Sequence, residues 1–434
     1  MSELLPTVQA RNVRDSLVDY LTTTFALTDA DVGDALDRFL VDPVTGMFKG
    51  PYVRLRLPFR PADVGWRDHL EWYEGFPPYG HQAAAFARLA SARDGKDRRP
   101  EPTLVTTGTG SGKTEAFLYP IIDHVLRARR AGVTGIKALI LYPMNALAND
   151  QAQRLATILT NHPVLQSVTA ALYTGQKGDK PRIRVSSDGL ITDRAVIRDT
   201  APDILLTNYK MLDQLLLRHE DQELWRQSAT SLRYLVLDEF HTYDGAQGTD
   251  VAMLLRRLGL ALKSHWGAEE PGITAADRAR PLGRITPVAT SATLGDGGDP
   301  AAMLGFAETV FGEPFPEDAV VIESRVDLDE WAGSAADTVA AAGLVPIGVA
   351  RLDVAAINAA VQDLGHDPAG GSITRAVFEL LYEGDLPERA EDDADLLLAL
   401  AKAHPLVREL AAAAGEAIGV PDLVARVAGA VAAP

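Results

Sequence analysis

The sequence predicts an α/β fold in which a parallel β-sheet is flanked by helices. Between residues 100 and 325, short apolar runs typical of buried strands alternate with stretches of helical spacing. This alternation is characteristic of a parallel sheet that is covered on both faces. A glycine-rich turn follows the first of these runs, and two carboxylates, Asp238 and Glu239, follow a later one. Ligands of such sheets bind at the carboxyl ends of the strands, so we expect the functional site there.

These elements divide the chain into three expected regions. Residues 1–75 contain two stretches of helical spacing and a period-two stretch at 50–59 that predicts a short strand, and we interpret them as an accessory region. Residues 76–325 hold the α/β core, and residues 326–434 form an Ala-rich, acidic, α-helical region. The strands predicted in the core are at 103–106, 137–142, 168–173, 203–207, 232–237 and 285–290.

The composition excludes several kinds of chemistry. The 434 residues include no cysteine, so disulfides, thiolate zinc sites and cysteine nucleophiles are impossible. We identify no signal-peptide pattern and no apolar run of membrane-spanning length, and we therefore expect a cytoplasmic chain with no membrane partner. The net charge of −17 disfavours non-specific coating of nucleic acid. More than half of the acidic excess follows residue 330, which is compatible with a local basic groove in the front part.

A glycine-rich turn at Thr107–Thr114 joins a predicted strand to a predicted helix. Such a turn directs backbone N–H groups and the positive end of a helix dipole at one point, which suits a phosphate. Lys113 adds a cation for the outer phosphates, and the Thr114 hydroxyl can ligate Mg²⁺. Thr107 stands where the strict G-x-x-x-x-G-K-[ST] pattern has glycine, which indicates a subclass. The predicted phosphate-binding residues are Thr109, Gly110, Ser111, Gly112, Lys113 and Thr114.

Asp238 and Glu239 directly follow the apolar run at 232–237. A carboxylate there can hold Mg²⁺ opposite Lys113 and Thr114, directly or through water. The adjacent Glu239 can orient and deprotonate an attacking water. Two acids that merely cap a strand are the alternative, but the phosphate loop earlier in the chain favours the nucleotide interpretation.

Two weaker signals lie on either side of these motifs. Gln82 begins a predicted helix, where its primary amide can both donate to and accept from an adenine edge, and an aromatic residue upstream can stack on the ring. Ser291 and Thr293 follow the strand at 285–290, where small hydroxyl groups can bridge His241 to a neighbouring domain. Each signal is commonplace alone and gains weight from its place in the series.

In their order along the chain, these elements resemble the motifs of superfamily 2 DEAD/DEAH-box helicases. They extend over residues 76–325, the span of a first RecA-like lobe of the P-loop NTPase type. Phe240 departs from the DEAD and DEAH forms at a packing position, and the stretch after His241 is similar to bacterial large DNA helicases of repair and phage-defence systems. The matching elements are Gln82 (Q motif), Thr107–Thr114 (motif I), 142–151 (motif Ia), Thr174-Gly175, 207–212 (motif Ib), Asp238–His241 (motif II) and Ser291–Thr293 (motif III).

The resemblance implies an ATP-dependent motor that binds ATP and Mg²⁺. The implied catalytic residues are Lys113, Asp238, Glu239 and His241, and the implied metal ligands are Thr114 and Asp238. His241, Ser291 and Thr293 are implied to couple the state of the nucleotide to movement of the lobes. The implied partner is single-stranded or partly duplex nucleic acid, with DNA preferred. Its backbone would be gripped without base reading. The implied contact residues are Tyr142, Pro143, Thr174, Gly175, Thr207 and Asn208.

A helicase of this type also needs a second RecA-like lobe that supplies an arginine finger. We find no Q-x-x-G-R-x-x-R pattern after residue 325. We therefore expect the second lobe to be provided in cis or in trans, and the chain alone to hydrolyse ATP weakly. Two alternatives stay open: an ATP-gated clamp or scaffold of a defence complex that does not unwind, and an RNA remodeller.

Overall fold

The computed structural model describes residues 6–26, 28–42, 45–48, 51–73, 75–93, 95–108, 110–175, 181–292, 300–362, 371–387 and 393–432. The helices are α1 (Pro6–Thr24), α2 (Ala30–Val41), α3 (Gly80–Leu89), α4 (Lys113–Arg130), α5 (Asn145–Asn161), α6 (Arg194–Asp199), α7 (Tyr209–Leu217), α8 (Gln222–Ser228), α9 (Gly245–Lys263), α10 (Ala275–Ala279), α11 (Pro300–Phe311), α12 (Leu328–Ala332), α13 (Ala335–Ala341), α14 (Val354–Gln362), α15 (Gly371–Leu381), α16 (Ala394–Ala403), α17 (Pro405–Ala413) and α18 (Val420–Ala432). The strands are β1 (Tyr52–Val53), β2 (Ala92–Arg93), β3 (Lys96–Asp97), β4 (Thr103–Thr106), β5 (Ala138–Tyr142), β6 (Ala170–Tyr173), β7 (Ile204–Asn208), β8 (Tyr234–Leu237), β9 (Thr286–Ser291), β10 (Val320–Ile322), β11 (Val345–Pro346), β12 (Tyr382–Glu383) and β13 (Ile418–Gly419).

The chain forms two compact units, one of residues 59–324 and one that combines residues 1–58 with residues 325–434. The division predicted from the sequence places its boundaries after residues 75 and 325 instead. The functional roles assigned to the three predicted regions stay predictions. Residues 59–75 belong to the α/β unit, where Trp66 and Trp72 are buried.

A seven-stranded sheet forms the middle of the 59–324 unit. Its strand order is β10-β4-β9-β8-β5-β7-β6, and every neighbouring pair is parallel. Alternate residues of β5 enter two different apolar clusters: Leu139 and Leu141 pack with α7, α9 and α11, whereas Ile140 packs with α4 and α5. Helices therefore cover both faces, and the predicted RecA-like α/β fold is confirmed.

The register brings the carboxyl ends of the central strands level with one another. Thr106 at the end of β4 pairs with Ser291 at the end of β9. Leu237 at the end of β8 pairs with Leu141, and the next residue, Tyr142, pairs with Asn208 at the end of β7. Loops that follow these strands consequently meet along one edge of the sheet.

The structure corrects two features of the sequence-based elements. The last predicted strand ended at 290, but β10 adds a further parallel strand beside β4, formed by a short Val-Val-Ile run that periodicity does not distinguish from a loop. Of the period-two stretch at 50–59, the structure describes residues 51–59, and within them the strand is confined to Tyr52–Val53, which pairs with β13. The other predicted strands are present with ends shifted by no more than two residues.

The unit that contains the C-terminal residues is mostly helical. Its main apolar cluster joins α13, α15 and α16 and includes Val339, Leu381 and Leu400. The hydroxyl of Tyr382 donates a hydrogen bond to the Leu400 carbonyl at 2.6 Å. A second cluster joins α17 and α18 and includes Ala414 and Leu423. Among the described residues of the whole chain, no helix combines the length and apolar character needed to cross a membrane.

His124 on α4 is expected to make the stability of the α/β unit sensitive to acid. Burial, reinforced by neighbouring arginines, lowers the pKa of His124 to about 3, and its Nδ1 lies 2.7 Å from Ser91 Oγ. The unfolded chain takes up this proton near pH 6.5 and the folded chain does not, so stability is lost as the pH falls through this window. Between pH 7 and pH 5 we expect the free energy of unfolding to fall by roughly 2 kcal/mol more than in His124→Gln.

Urea denaturation at the two pH values measures this difference. His265→Gln, which replaces an exposed histidine, is the matched control and should keep the acid sensitivity of the unsubstituted protein. An identical pH dependence in the unsubstituted protein and in His124→Gln would contradict the prediction.

Candidate nucleotide and nucleic-acid site

The glycine-rich turn lies between β4 and α4, as predicted. Gly110 and Gly112 both have φ of 78°, in the left-handed region that favours glycine. Gly112 is the N-cap of α4, and a Cβ at this position would lie 2.2 Å from Gln82 Nε2. The backbone conformation therefore favours glycine at residue 112, and a Cβ there would also displace the Gln82 amide from its place against the loop. Thr109 lies outside the described residues.

Thr107 explains the departure from the strict phosphate-loop pattern. Its Oγ1 lies 2.6 Å from Ser111 Oγ, so two buried hydroxyl groups close the loop across its width. Its backbone N–H donates to the Ser291 carbonyl of β9 at 3.2 Å. Thr107 has no positive φ, so glycine is not needed there and a side chain can brace the loop.

The acidic pair stands opposite the phosphate loop. Glu239 Oε1 lies 3.8 Å from Lys113 Nζ, and both side chains are partly buried. Glu239 has a φ of 51°, and no other non-glycine residue in the described part of the chain has a positive φ. β9 lies between the strands that carry these two groups, so the loop and the acidic pair face each other across the tip of a third strand.

That third strand supplies a residue that the sequence analysis missed. The Thr290 hydroxyl of β9 donates to Asp238 Oδ1, and the Glu239 backbone N–H donates to Thr290 Oγ1 at 3.4 Å. Burial raises the pKa of the Asp238 carboxyl, although the bond from Thr290 opposes the shift. A cation facing this carboxylate would offset the cost of burying its charge.

Two of the three residues predicted to couple nucleotide state to lobe movement, His241 and Ser291, contact each other. His241 Nδ1 lies 3.2 Å from Ser291 Oγ and 3.6 Å from Glu239 Oε2. Thr293 lies outside the described residues. Phe240 is completely buried, and its ring packs on Phe306 with a centroid separation of 4.8 Å, which confirms that this position serves packing.

Gln82 is bound to the phosphate loop. Its Oε1 accepts a hydrogen bond from the Tyr79 N–H at 2.9 Å, and its Nε2 donates to the Gly112 carbonyl at 3.1 Å. The preceding residue, His81, is buried and its Nε2 lies 2.8 Å from the Ser111 carbonyl. His81 was missed because a single histidine at a helix start carries no signal of its own. On the other side of the loop, Glu323 accepts from the Gly108 N–H at 2.9 Å.

A cavity of about 460 Å³ extends from Glu239 and Lys113 to the aromatic residues before α3. Its size and its loop of N–H donors fit a nucleoside triphosphate. Among the described residues, no group of three or more His, Asp or Glu side chains could hold a metal by itself. Mg²⁺ bound through one carboxylate, a hydroxyl and substrate phosphates needs no such group. Other lining residues include Tyr73, Phe76, Pro77, Tyr79, Gln82, Thr114, Glu115, Tyr119 and Arg154.

The six residues predicted to contact nucleic acid differ in how exposed they are. Tyr142 is 2% exposed and packs in the apolar core, so only its backbone is available. Thr207 is fully buried and donates to the Tyr173 carbonyl at 2.6 Å. Thr174 is also buried, whereas Gly175 is exposed and Pro143 is partly exposed. Helices cover both faces of the sheet, so strand residues are buried whichever face they point to, which the motif pattern does not reveal.

Three of the predicted contact residues, Pro143, Gly175 and Asn208, line a groove of about 530 Å³. Asn208 lines the groove, caps α7 by accepting from the Met211 N–H at 2.8 Å, and donates from Nδ2 to Asn145 Oδ1 at 2.6 Å. Hydroxyl, amide and lysine groups along such a groove suit a phosphodiester backbone. The remaining lining residues are Pro143, Met144, Asn145, Gly175, Tyr209, Lys210, Met211 and Gln247. Met144, Asn145, Tyr209, Lys210 and Met211 belong to the stretches that resemble motifs Ia and Ib but were not among the six implied contact residues, and Gln247 lies outside both stretches.

A glycine turn and an acidic pair at the carboxyl edge of a parallel sheet define a P-loop NTPase with a RecA-like sheet. The family model of the DEAD/DEAH box helicases matches residues 79–296, which is half of the chain. The chain therefore belongs to the DEAD/DEAH box helicase family, whose members bind ATP.

The similar proteins are much longer than this chain. Druantia protein DruE of Escherichia coli is 28% identical over 276 residues, covering 42% of this chain and 15% of that protein. The uncharacterized ATP-dependent helicase YprA of Bacillus subtilis is 29% identical over 180 residues, covering 42% of this chain and 20% of that protein. The crystal structure of the DUF1998 helicase MrfA bound to DNA and AMPPNP has a TM-score of 0.42 and 23% identity, covering 63% of this chain and 31% of that one. This chain thus spans a fifth or less of the length of the two curated relatives.

Proposed function

We propose that this chain is the ATP-binding lobe of a nucleic-acid-dependent ATPase that acts on DNA as a helicase or translocase. The observation that carries the proposal is the 3.8 Å approach of Lys113 Nζ to Glu239 Oε1 across the tip of β9. Both residues line one cavity that is large enough for a triphosphate, so a cation for the phosphates and a general base stand beside the same ligand space.

Each residue of the site has a proposed role. Lys113 and the loop N–H groups neutralise phosphate charge, and Gln82 contacts the adenine edge. Thr114 and Asp238 would hold Mg²⁺, which polarises the phosphoryl oxygens when bound. Glu239 orients the attacking water and accepts its proton. His241 and Ser291 would transmit the state of the nucleotide to the partner lobe, a role also proposed for Thr293.

The proposed nucleic-acid interface is the groove at the ends of β5 and β7. It would grip the backbone of a single strand through Pro143, Gly175, Asn208 and Lys210. DNA is favoured because the stretch after His241 resembles bacterial DNA helicases of repair and defence systems. An RNA substrate is the alternative, and competition between DNA and RNA oligonucleotides of one sequence distinguishes them.

The second RecA-like lobe is proposed as a partner in cis or in trans, because the arginine finger is not found in the sequence after residue 325. An ATP-gated clamp would share the site described above but would not separate strands. Strand displacement by the assembly with both lobes supports the helicase, and nucleotide-dependent binding without displacement supports the clamp.

Lys113→Ala tests the nucleotide site. We expect this variant to lose ATP binding by roughly 10²-fold or more, because the cavity then lacks its proposed phosphate cation. Titration with the fluorescent analogue mant-ATP measures the change. Lys210→Ala, in the groove, is the matched control and should bind mant-ATP normally while binding single-stranded DNA less tightly. Unchanged mant-ATP affinity in Lys113→Ala would contradict the proposed site.

A further inference from the structure

Helix α5 connects the proposed nucleic-acid groove to the nucleotide cavity. At its first residue, Asn145 lines the groove and accepts a hydrogen bond from Asn208 Nδ2 at 2.6 Å. At its second and third turns, Gln151 and Arg154 contact residues of the nucleotide cavity. A helix rises about 1.5 Å per residue, so these contacts lie roughly 9 Å and 14 Å along the axis from Asn145.

The first of these contacts reaches the proposed metal ligand. Thr114 Oγ1 lies 3.3 Å from Gln151 Oε1, with the hydroxyl as donor. A threonine hydroxyl has one proton and two lone pairs. When the proton is donated to Gln151, the lone pairs are left for a cation, which is the usual way in which an outer residue orients a metal ligand. Gln151 is therefore placed to orient Thr114 rather than to touch the nucleotide itself.

The second contact is an ion pair at the wall of the same cavity. Arg154 binds Glu115 Oε1, and both residues line the nucleotide cavity. The other carboxylate oxygen of Glu115 is buried and, among the described residues, has no hydrogen-bond partner. Arg154 thus offsets a negative charge beside a cavity that would receive a polyanion. Any movement of Arg154 changes the electrostatic potential that the nucleotide meets.

The middle of α5 packs against one face of the sheet. Ala148, Ala152 and Leu155 are buried in the apolar cluster on one face of the sheet. Because such interiors are close-packed, a shift at the first turn is passed along the helix rather than absorbed locally. His241 and Ser291 are proposed to act on a second lobe, whereas α5 connects the two proposed sites within this unit.

We propose that Gln151 and Arg154 are positioning residues through which α5 couples nucleic-acid binding to nucleotide binding inside the 59–324 unit. The inference rests on the proposed function, because it requires both ligands. Binding of a strand against Asn145 and Asn208 adjusts α5, and α5 adjusts the Thr114 hydroxyl and the charge beside the cavity. The reverse effect has the same size, because coupling between two binding sites is reciprocal.

The test compares the affinity for mant-ATP with Mg²⁺ in the presence and absence of saturating single-stranded DNA. We expect DNA to tighten mant-ATP binding by about 5–150-fold in the unsubstituted protein, the usual range for coupled sites. In Gln151→Leu and Arg154→Gln the ratio should fall toward one. Gln151→Glu, which keeps an acceptor for Thr114, should retain more of the coupling than Gln151→Leu. A rise in the Mg²⁺ concentration needed for mant-ATP binding is expected in Gln151→Leu but not in Arg154→Gln.

Gln153→Leu is the matched control, because Gln153 is on the same helix but bonds the Ser187 carbonyl at 2.8 Å, outside both sites. A ratio that is unchanged in Gln151→Leu and Arg154→Gln overturns the inference, as does an equal loss in Gln153→Leu. If the unsubstituted protein binds mant-ATP and DNA without any mutual effect, the inference fails and the proposed function stands. If it binds no mant-ATP, the proposed function fails and the inference with it.

Discussion

ATP hydrolysis by this chain assayed by itself is expected to be about 10³–10⁵-fold slower than hydrolysis in the presence of a RecA-like lobe that brings an arginine to the phosphates. Arg154 is the one arginine that lines the nucleotide cavity among the described residues. It forms an ion pair with Glu115 on the cavity wall. Lys113 faces Glu239 and is the remaining cation of the cavity. Charge that develops in the transition state would therefore lack part of its stabilisation.

Phosphate release at saturating ATP and single-stranded DNA measures this effect, first with the chain alone and then with the partner lobe added in cis or in trans. Replacing the arginine of the added lobe by alanine is the matched control and should return the rate to that of the chain alone. Rapid turnover without any added lobe would show that the single lobe is sufficient for catalysis.

Glu239→Gln is expected to bind ATP as tightly as the unsubstituted protein and to hydrolyse it roughly 10²–10⁴-fold more slowly. The amide has the same shape as the carboxylate but cannot accept a proton from water. Removing the charge opposite Lys113 does not weaken, and can strengthen, the attraction of that lysine for phosphate. The comparison therefore separates the role of Glu239 from those of the phosphate-binding residues.

Paired measurements of mant-ATP affinity and phosphate release, made with the partner lobe present so that the basal rate is measurable, check this expectation. Glu269→Gln changes an exposed glutamate outside the cavity and should leave both quantities as they are. Parallel losses of binding and turnover in Glu239→Gln would indicate a structural role for this residue instead of a catalytic one.

The parts of the site that were predictable are those encoded by contiguous residues. The turn around Gly112 and the acidic pair after Leu237 each follow an apolar strand, so local pattern alone places them at the carboxyl edge of a parallel sheet. Thr290 and His81 carry no such pattern, and Gln151, although it ends the stretch that resembles motif Ia, has no role that the pattern assigns. Each matters because of the residue that it meets from a distant part of the chain: Asp238, Ser111 and Thr114 respectively.

Local sequence patterns are sufficient to predict the α/β class, the RecA-like order of elements and the positions of the phosphate loop and acidic pair, because strand period and turn chemistry are local properties. The three-dimensional packing was needed to show that β9 lies between the two halves of the site and that Thr290 of β9 hydrogen-bonds to Asp238. It also decided that Tyr142 and Thr207 are buried while the neighbouring Met144 and Lys210 are exposed. Strand order, side-chain direction and burial depend on how distant segments pack, and no short stretch of sequence encodes that packing.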